Sequence, residues 1–222
     1  MKHFPLLLIG IFAILTSSFL VFVLTSQNQL GSLKQSTEGL EMNDAGELVM
    51  IDGDPLFPAN RSGVADQGSL EYVKMGCVYC HSQQVRRASL SADIERGLGL
   101  RVSVPRDYIL QDRVLIGHQR LGPDLSNIGL RQADQNWHLL HLYNPQITSP
   151  GSLMPQFPFL FELLPDTAAS ASTALVFPLG SEFAPEAGWV VVPTRRALAL
   201  VEYLMALKFD YNLPEAIIVE NE

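Results

Sequence analysis

The chain has 222 residues, a formal net charge of −8 and a pI near 5.1. That length suits one domain of ordinary size with accessories. The acidic balance excludes a nucleic-acid binder, which needs a basic patch to neutralise phosphates. The charge is zoned: residues 35–72 carry eight acids and one Arg, residues 86–131 eight Arg and five acids, and residues 162–222 nine acids and three bases. Zoning of this kind can steer a charged partner into place.

Phe4 to Thr25 reads FPLLLIGIFAILTSSFLVFVLT, without a charge. As a helix it is ~33 Å long, enough to cross the ~30 Å hydrocarbon core. A cleaved export signal has a shorter apolar stretch. Here the apolar run resumes at Phe19 after Thr16-Ser17-Ser18, so the segment reads as a retained anchor over residues 4–25. The lone Lys2 before it leaves residues 1–3 in the cytoplasm and exports the remainder.

Residues 26–65 are rich in turn signals, such as NDAGE, DGDP and PANRSG, and read as an extended tether. A domain follows over residues 66–210. A short helix is predicted from Asp66, as N-cap, to Cys77. The Arg-rich stretch 82–121 reads as loop, with a short strand near Val102–Val104. Asn136–Tyr143 is helical and stops at Asn144-Pro145. The proline-rich run 144–165 reads as extended loop, and 164–192 as a surface excursion. Thr194 caps a last helix whose Ala197, Leu200, Val201, Leu204 and Leu207 form one apolar stripe. Residues 211–222 read as a tail. So few helices joined by such long loops lack a sufficient core of their own, and a large apolar cofactor would fill the gap.

The only cysteines are Cys77 and Cys80, in GCVYCHSQQVR, and His81 follows directly. At i, i+3 and i+4 the three side chains share one side of a helix. Two thiols can then capture the vinyl groups along one haem edge while the imidazole ligates iron. C-x-x-C-H is the sequence mark of a c-type haem. Zinc would need two further ligands, for which His138 and His141 are spaced. A redox dithiol would need a βαβ setting, and a two-residue disulfide would be strained. For the second axial position Met154 stands out among six Met: Pro155 forces it into an extended conformation that presents its sulfur, and a thioether ligand suits an electron carrier. His118, His138 and His141 are the competing ligands.

The segments GCVYCHSQQVR, RLGPDLSNIGLR, WHLLHLYNP and SPGSLMPQFPFLF, in that order, resemble the monohaem subunit (subunit II) of cbb3-type cytochrome c oxidases. The resemblance covers residues 68–161 and the anchor. It implies a mainly α, class I cytochrome c-like domain, with few helices and long loops around one covalent haem c, on a single transmembrane helix of the bacterial inner membrane and facing the periplasm. It also implies electron transfer from a donor cytochrome c or a quinol–cytochrome c reductase to a haem–copper catalytic subunit that reduces oxygen, beside other cytochrome subunits. No residue looks like a general acid, base or nucleophile, so turnover by this chain alone is not expected. By that likeness Gly122-Pro123 lies against the proximal side of the haem, with the Pro123 carbonyl accepting from His81. Arg131, Trp137 and His141 meet the propionates or wall the pocket. Residues 89–115 and 164–192 depart from the family pattern. The monohaem subunit of a nitric oxide reductase is an alternative within electron transfer, and a haem sensor or peroxidase with a displaceable sixth ligand is one from another class.

Overall fold

The computed structural model describes residues 3–168 and 174–218, and divides into two compact units, Met1–Gln35 and Ser36–Glu222. The first unit is one continuous helix, Phe4–Leu30, composed of α1 (Phe4–Ser18), a π-helical segment (Phe19–Leu24) and α2 (Thr25–Leu30). Pro5 sits in the first turn, where its missing N–H is no loss. Gly31, with φ of 63°, ends the helix. Thr25 Oγ1 donates to the Leu20 carbonyl within the helix, 3.0 Å away. None of its apolar side chains is buried, and among the described residues it is the one helix long and apolar enough to cross a membrane. The span reaches five residues beyond the 4–25 expected, through the polar Ser26–Gln29.

In the second unit the expected tether is folded from Ser36 onward. Ser36 and Phe57 exchange backbone hydrogen bonds of 2.9 and 2.7 Å. Between them β1 (Leu40–Met42) pairs antiparallel with β2 (Leu48–Met50), around a turn in which Asn43 Oδ1 accepts from the Ala45 and Glu47 amides. The Phe57 ring stacks on Tyr211 at 4.6 Å, and Glu38 accepts from the Asn212 amide. The tail is correspondingly not loose over its described part. Tyr211 and Leu213 are buried in a small second core with Tyr108 and Phe209. Arg101 and Asp107 form a buried, bidentate pair beneath it, and the Tyr211 hydroxyl donates to Asp107. Residues 219–222 lie outside the described residues.

α3 runs over Gly63–Lys74, three residues earlier than expected at both ends. Its N-cap is Ser62, whose Oγ accepts from the Ala65 amide, while Asp66 sits in the first turn and favours the helix dipole instead. No strand forms at 102–104; Val104 leads into a 3-10 turn, Pro105–Tyr108. The short α4 (Ile128–Arg131), α5 (Gln135–Tyr143) and α6 (Pro145–Thr148) follow. α6 and a 3-10 turn at Pro158–Leu160 interrupt the stretch expected to be extended throughout. The 164–192 excursion is closed at its base by antiparallel β3 (Phe161–Pro165) and β4 (Trp189–Pro193). It is tied to α5 by two hydrogen bonds between the Asn136 side chain and the Val176 backbone. Its residues 169–173 lie outside the described residues.

α7 (Arg195–Ala206) is capped by Thr194 as expected and buries the expected stripe, with Ala199 and Tyr203 added. It crosses α3 so closely that a Cβ on Gly68 would stand 1.9 Å from the Ala199 carbonyl oxygen and 2.7 Å from Tyr203 Cβ. Tyr72 of α3 meets Tyr203 edge to face, 5.5 Å between ring centres. The main core of the unit gathers around this crossing, with Leu139, Leu140 and Leu142 of α5 in the same cluster. Gly68→Ala is therefore expected to destabilise the folded unit by about 1–3 kcal/mol, as overpacking does. A lowered midpoint in thermal or denaturant unfolding checks it.

Candidate functional site

The end of α3 aims the cysteine turn. Met75 is the C-cap and Gly76 follows at φ of 75°, a left-handed conformation that L side chains rarely adopt. The chain then enters a 3-10 turn, Cys77–Tyr79. The helix expected to reach Cys77 has thus already ended. The side-chain spacing survives because the Cys80 and His81 amides both donate to the Cys77 carbonyl, at 3.1 and 2.9 Å. The two thiols are free and half-buried. Burial pushes the Cys77 thiol up to about 12, so it is no thiolate at neutral pH.

His81 Nδ1 lies 2.8 Å from the Pro123 carbonyl oxygen. A carbonyl can only accept, so Nδ1 carries the proton and Nε2 the lone pair. Burial lowers the pKa of the ring, against the opposing pull of Pro123, and keeps it neutral at pH 7. The Gly122 amide donates to the Cys80 carbonyl at 2.9 Å. A Cβ on Gly122 would stand 2.3 Å from His81 Cε1, so the ring lies directly on this glycine. The structure thus brings Cys77, Cys80, His81, Gly122 and Pro123 together.

On α5 the Trp137 and His141 rings stack at 4.8 Å and 8°. His141 Nδ1 lies 2.6 Å from Thr148 Oγ1, whose own proton goes to the Pro145 carbonyl. His138 is buried, and its Nε2 donates to the Gln132 carbonyl at 2.8 Å. His118 is exposed and stacks loosely on Tyr79. Among the described residues no three His, Cys, Asp or Glu side chains converge as metal ligands, so His138 and His141 do not complete a zinc site with the cysteines. Met154 is partly buried against the same core as Cys77 and Val78, and follows the fully exposed Leu153. Its loop is held to α5 by the Phe157 amide, which donates to the Leu142 carbonyl.

Arg131 donates through Nη2 to the Asp124 carbonyl oxygen. Its Nε is buried and has no protein partner, and no described carboxylate comes within ion-pair distance of it. A half-buried guanidinium in that condition is suited to an anionic group of a ligand. Two free thiols on one turn, a neutral imidazole with its lone pair available and an unsatisfied guanidinium nitrogen together fit a covalently held haem. Residue reasoning missed Ser82, Asp93, Arg120 and Asp124, which form a buried polar cluster directly behind His81. The one signal for it was the polar run His81–Gln84, unusual for a segment that proves largely buried.

A family model described as cytochrome c oxidase, mono-haem subunit/FixO, matches residues 62–186. No curated protein matches the chain.

Two outcomes follow from this geometry. Gly122→Ala is expected to push the His81 ring off the Pro123 carbonyl and add a high-spin component to the ferric absorption spectrum of the haem-loaded protein; an unchanged low-spin spectrum would count against it. The second concerns acid. Burial first, and then His81 and His138, hold the His141 ring down at about 4, against ~6.5 when unfolded. The stability this neutral ring confers is complete above the unfolded value and is lost as pH falls from there toward 4. His141→Gln should flatten the fall in denaturant stability across that window, by up to about 1.4 kcal/mol per pH unit for one proton.

Proposed function

The chain belongs to the family of cytochrome c oxidase mono-haem subunits (FixO), and from that premise we propose that Ser36 to the C-terminus is a class I cytochrome c-like electron-transfer domain. Membership carries association with the catalytic oxidase subunit. The bound haem c supplies a one-electron couple. Cys77 and Cys80 would hold it through their sulfurs, and His81 Nε2 and Met154 Sδ would be the iron ligands. The Pro123 carbonyl keeps the proton on His81 Nδ1, which fixes the tautomer and strengthens the imidazole as a donor. Gly122 leaves room for the His81 ring, Arg131 would meet a propionate, and Trp137 with His141 would wall the pocket and exclude water.

In this reading the N-terminal helix anchors the chain as a single pass in the bacterial inner membrane, with residues 1–3 cytoplasmic and the haem domain in the periplasm. Electrons arrive from a cytochrome c donor or a quinol–cytochrome c reductase. They leave to the haem–copper subunit, where oxygen is reduced to water. The family match favours this assignment over the nitric oxide reductase alternative. The observation that carries the haem reading is the 2.8 Å bond from His81 Nδ1 to Pro123 beside two free thiols on one turn.

The test is spectroscopic. Met154→Ala is expected to abolish the sulfur–iron charge-transfer band of the oxidised protein and let the reduced protein bind carbon monoxide, whereas His141→Ala keeps the band. Retention of the band in Met154→Ala would remove Met154 as the ligand. Membranes that yield haem c in this chain but never a haem–copper subunit with it would overturn the oxidase assignment.

A further inference from the structure

The two chain segments that carry the His81–Pro123 bond are joined by more than that bond. Leu125 donates to the Ser82 carbonyl at 2.8 Å, and Gly122 to that of Cys80. The Asp124 carboxylate closes the gap between them. Its Oδ2 accepts from Ser82 Oγ at 2.6 Å and from the Gln84 amide at 2.8 Å. Its Oδ1 accepts from the Ser126 amide at 2.9 Å. Ser82 is the neighbour of His81, and Asp124 the neighbour of Pro123. The carboxylate therefore clamps the donor and the acceptor one residue away from each.

The clamp is itself braced. Arg120 Nε donates to Ser82 Oγ at 2.6 Å, and its Nη2 reaches the Gln84 carbonyl and, at 3.5 Å, Asp124 Oδ2. Both terminal nitrogens of Arg120 bind Asp93, at 2.5 and 2.8 Å. Asp93 in turn accepts from the Arg86 amide and Ser91 Oγ. Asp93 and Asp124 are both 0% exposed, so two carboxylates share one guanidinium out of water. Groups so placed act on their surroundings at low dielectric, where a single charge matters far more than at a surface.

We propose that Asp124, braced by Arg120 and Asp93, is a positioning residue for the haem ligand His81: it fixes the Pro123 carbonyl on Nδ1 and keeps a negative charge behind the ligand that favours oxidised over reduced iron. This rests on the haem reading given above. Outer hydrogen bonds and buried charge are the levers by which a protein tunes a haem potential, and here both act in one direction. A firmly held Nδ1–H makes the imidazole a stronger donor, and a buried anion stabilises the higher iron charge. Both lower the reduction potential.

The experiment uses the full-length chain purified from membranes in detergent. A pyridine haemochrome spectrum of the unmodified protein comes first; no thioether-bound haem there would overturn the haem reading, independently of Asp124. With haem present, redox titration and ferric electron paramagnetic resonance compare variants. Asp124→Asn, nearly isosteric, is expected to retain haem, shift the midpoint potential upward and move the g values. Ser82→Ala, which removes the hydroxyl donor to Asp124 beside His81 and leaves every charge in place, is expected to move the g values with a smaller change in midpoint. Glu95→Gln, an exposed charge on the same loop as Asp93, leaves it where it was. Haem-loaded Asp124→Asn with the parent potential and g values would overturn the proposal, as would an equal upward shift in Glu95→Gln. If Asp124→Asn does not accumulate, Ser82→Ala decides alone: moved g values uphold the proposal, and the parent g values overturn it.

Discussion

The crossing of α3 over α7 at Gly68 is the constraint from which the site is built. A helix can approach another's carbonyl this closely only where it carries no Cβ. With α3 pinned there, Ser62 sets its beginning, the left-handed Gly76 sets where it stops, and the cysteine turn starts from a fixed point. His81 follows on the same turn, and its ring comes to rest on Gly122. A second glycine contact thus completes what the first one started. Between them, helix packing is converted into the orientation of one imidazole.

What the sequence disclosed and what it hid divide along a physical line. The anchor, the Cys77–His81 spacing and the stripe of α7 were legible because each is a property of one stretch of chain, in which composition or periodicity reports burial directly. The residues around Phe57 and Tyr211 look like tether and tail because they lack periodicity. They are held by partners far away in the chain: a ring stack across 57 and 211, and Arg101 and Asp107 joined to Tyr211. Nothing local signals such a pairing. The offset of α3 has a smaller cause. Ser and Asp are both good N-cap residue types, and the folded chain uses Ser62, four residues before the Asp66 expected.

The charge zoning also changes meaning once side chains are placed. The Arg-rich region looked like a surface for a charged partner. Arg101 pairs internally with Asp107, Arg120 with Asp93 and Arg106 with Glu215. Arg87, Arg96 and Arg113 remain as its exposed cations. Arg101 and Arg120 are therefore spent on buried carboxylates, which would otherwise be prohibitive to desolvate.

The buried polar groups separate structure from site by whether they are satisfied. Around Arg101 the accounts close. The guanidinium reaches the Tyr211 and Val102 carbonyls and both Asp107 oxygens, and the cluster needs no further partner to hold the C-terminal segment. Around Asp124 they close for the carboxylates but not for their neighbours. Ser126 Oγ and Arg131 Nε are buried without a partner. A buried polar atom left unpaired costs about 1–3 kcal/mol, so a water or ligand group that reached Ser126 Oγ or Arg131 Nε would be stabilised there. Arg131 ends α4 on the segment that carries Gly122 and Pro123, and its charge lies near enough to His81 to oppose protonation of that ring. The segment that lies against His81 thereby also holds Arg131, through the Asp124 carbonyl.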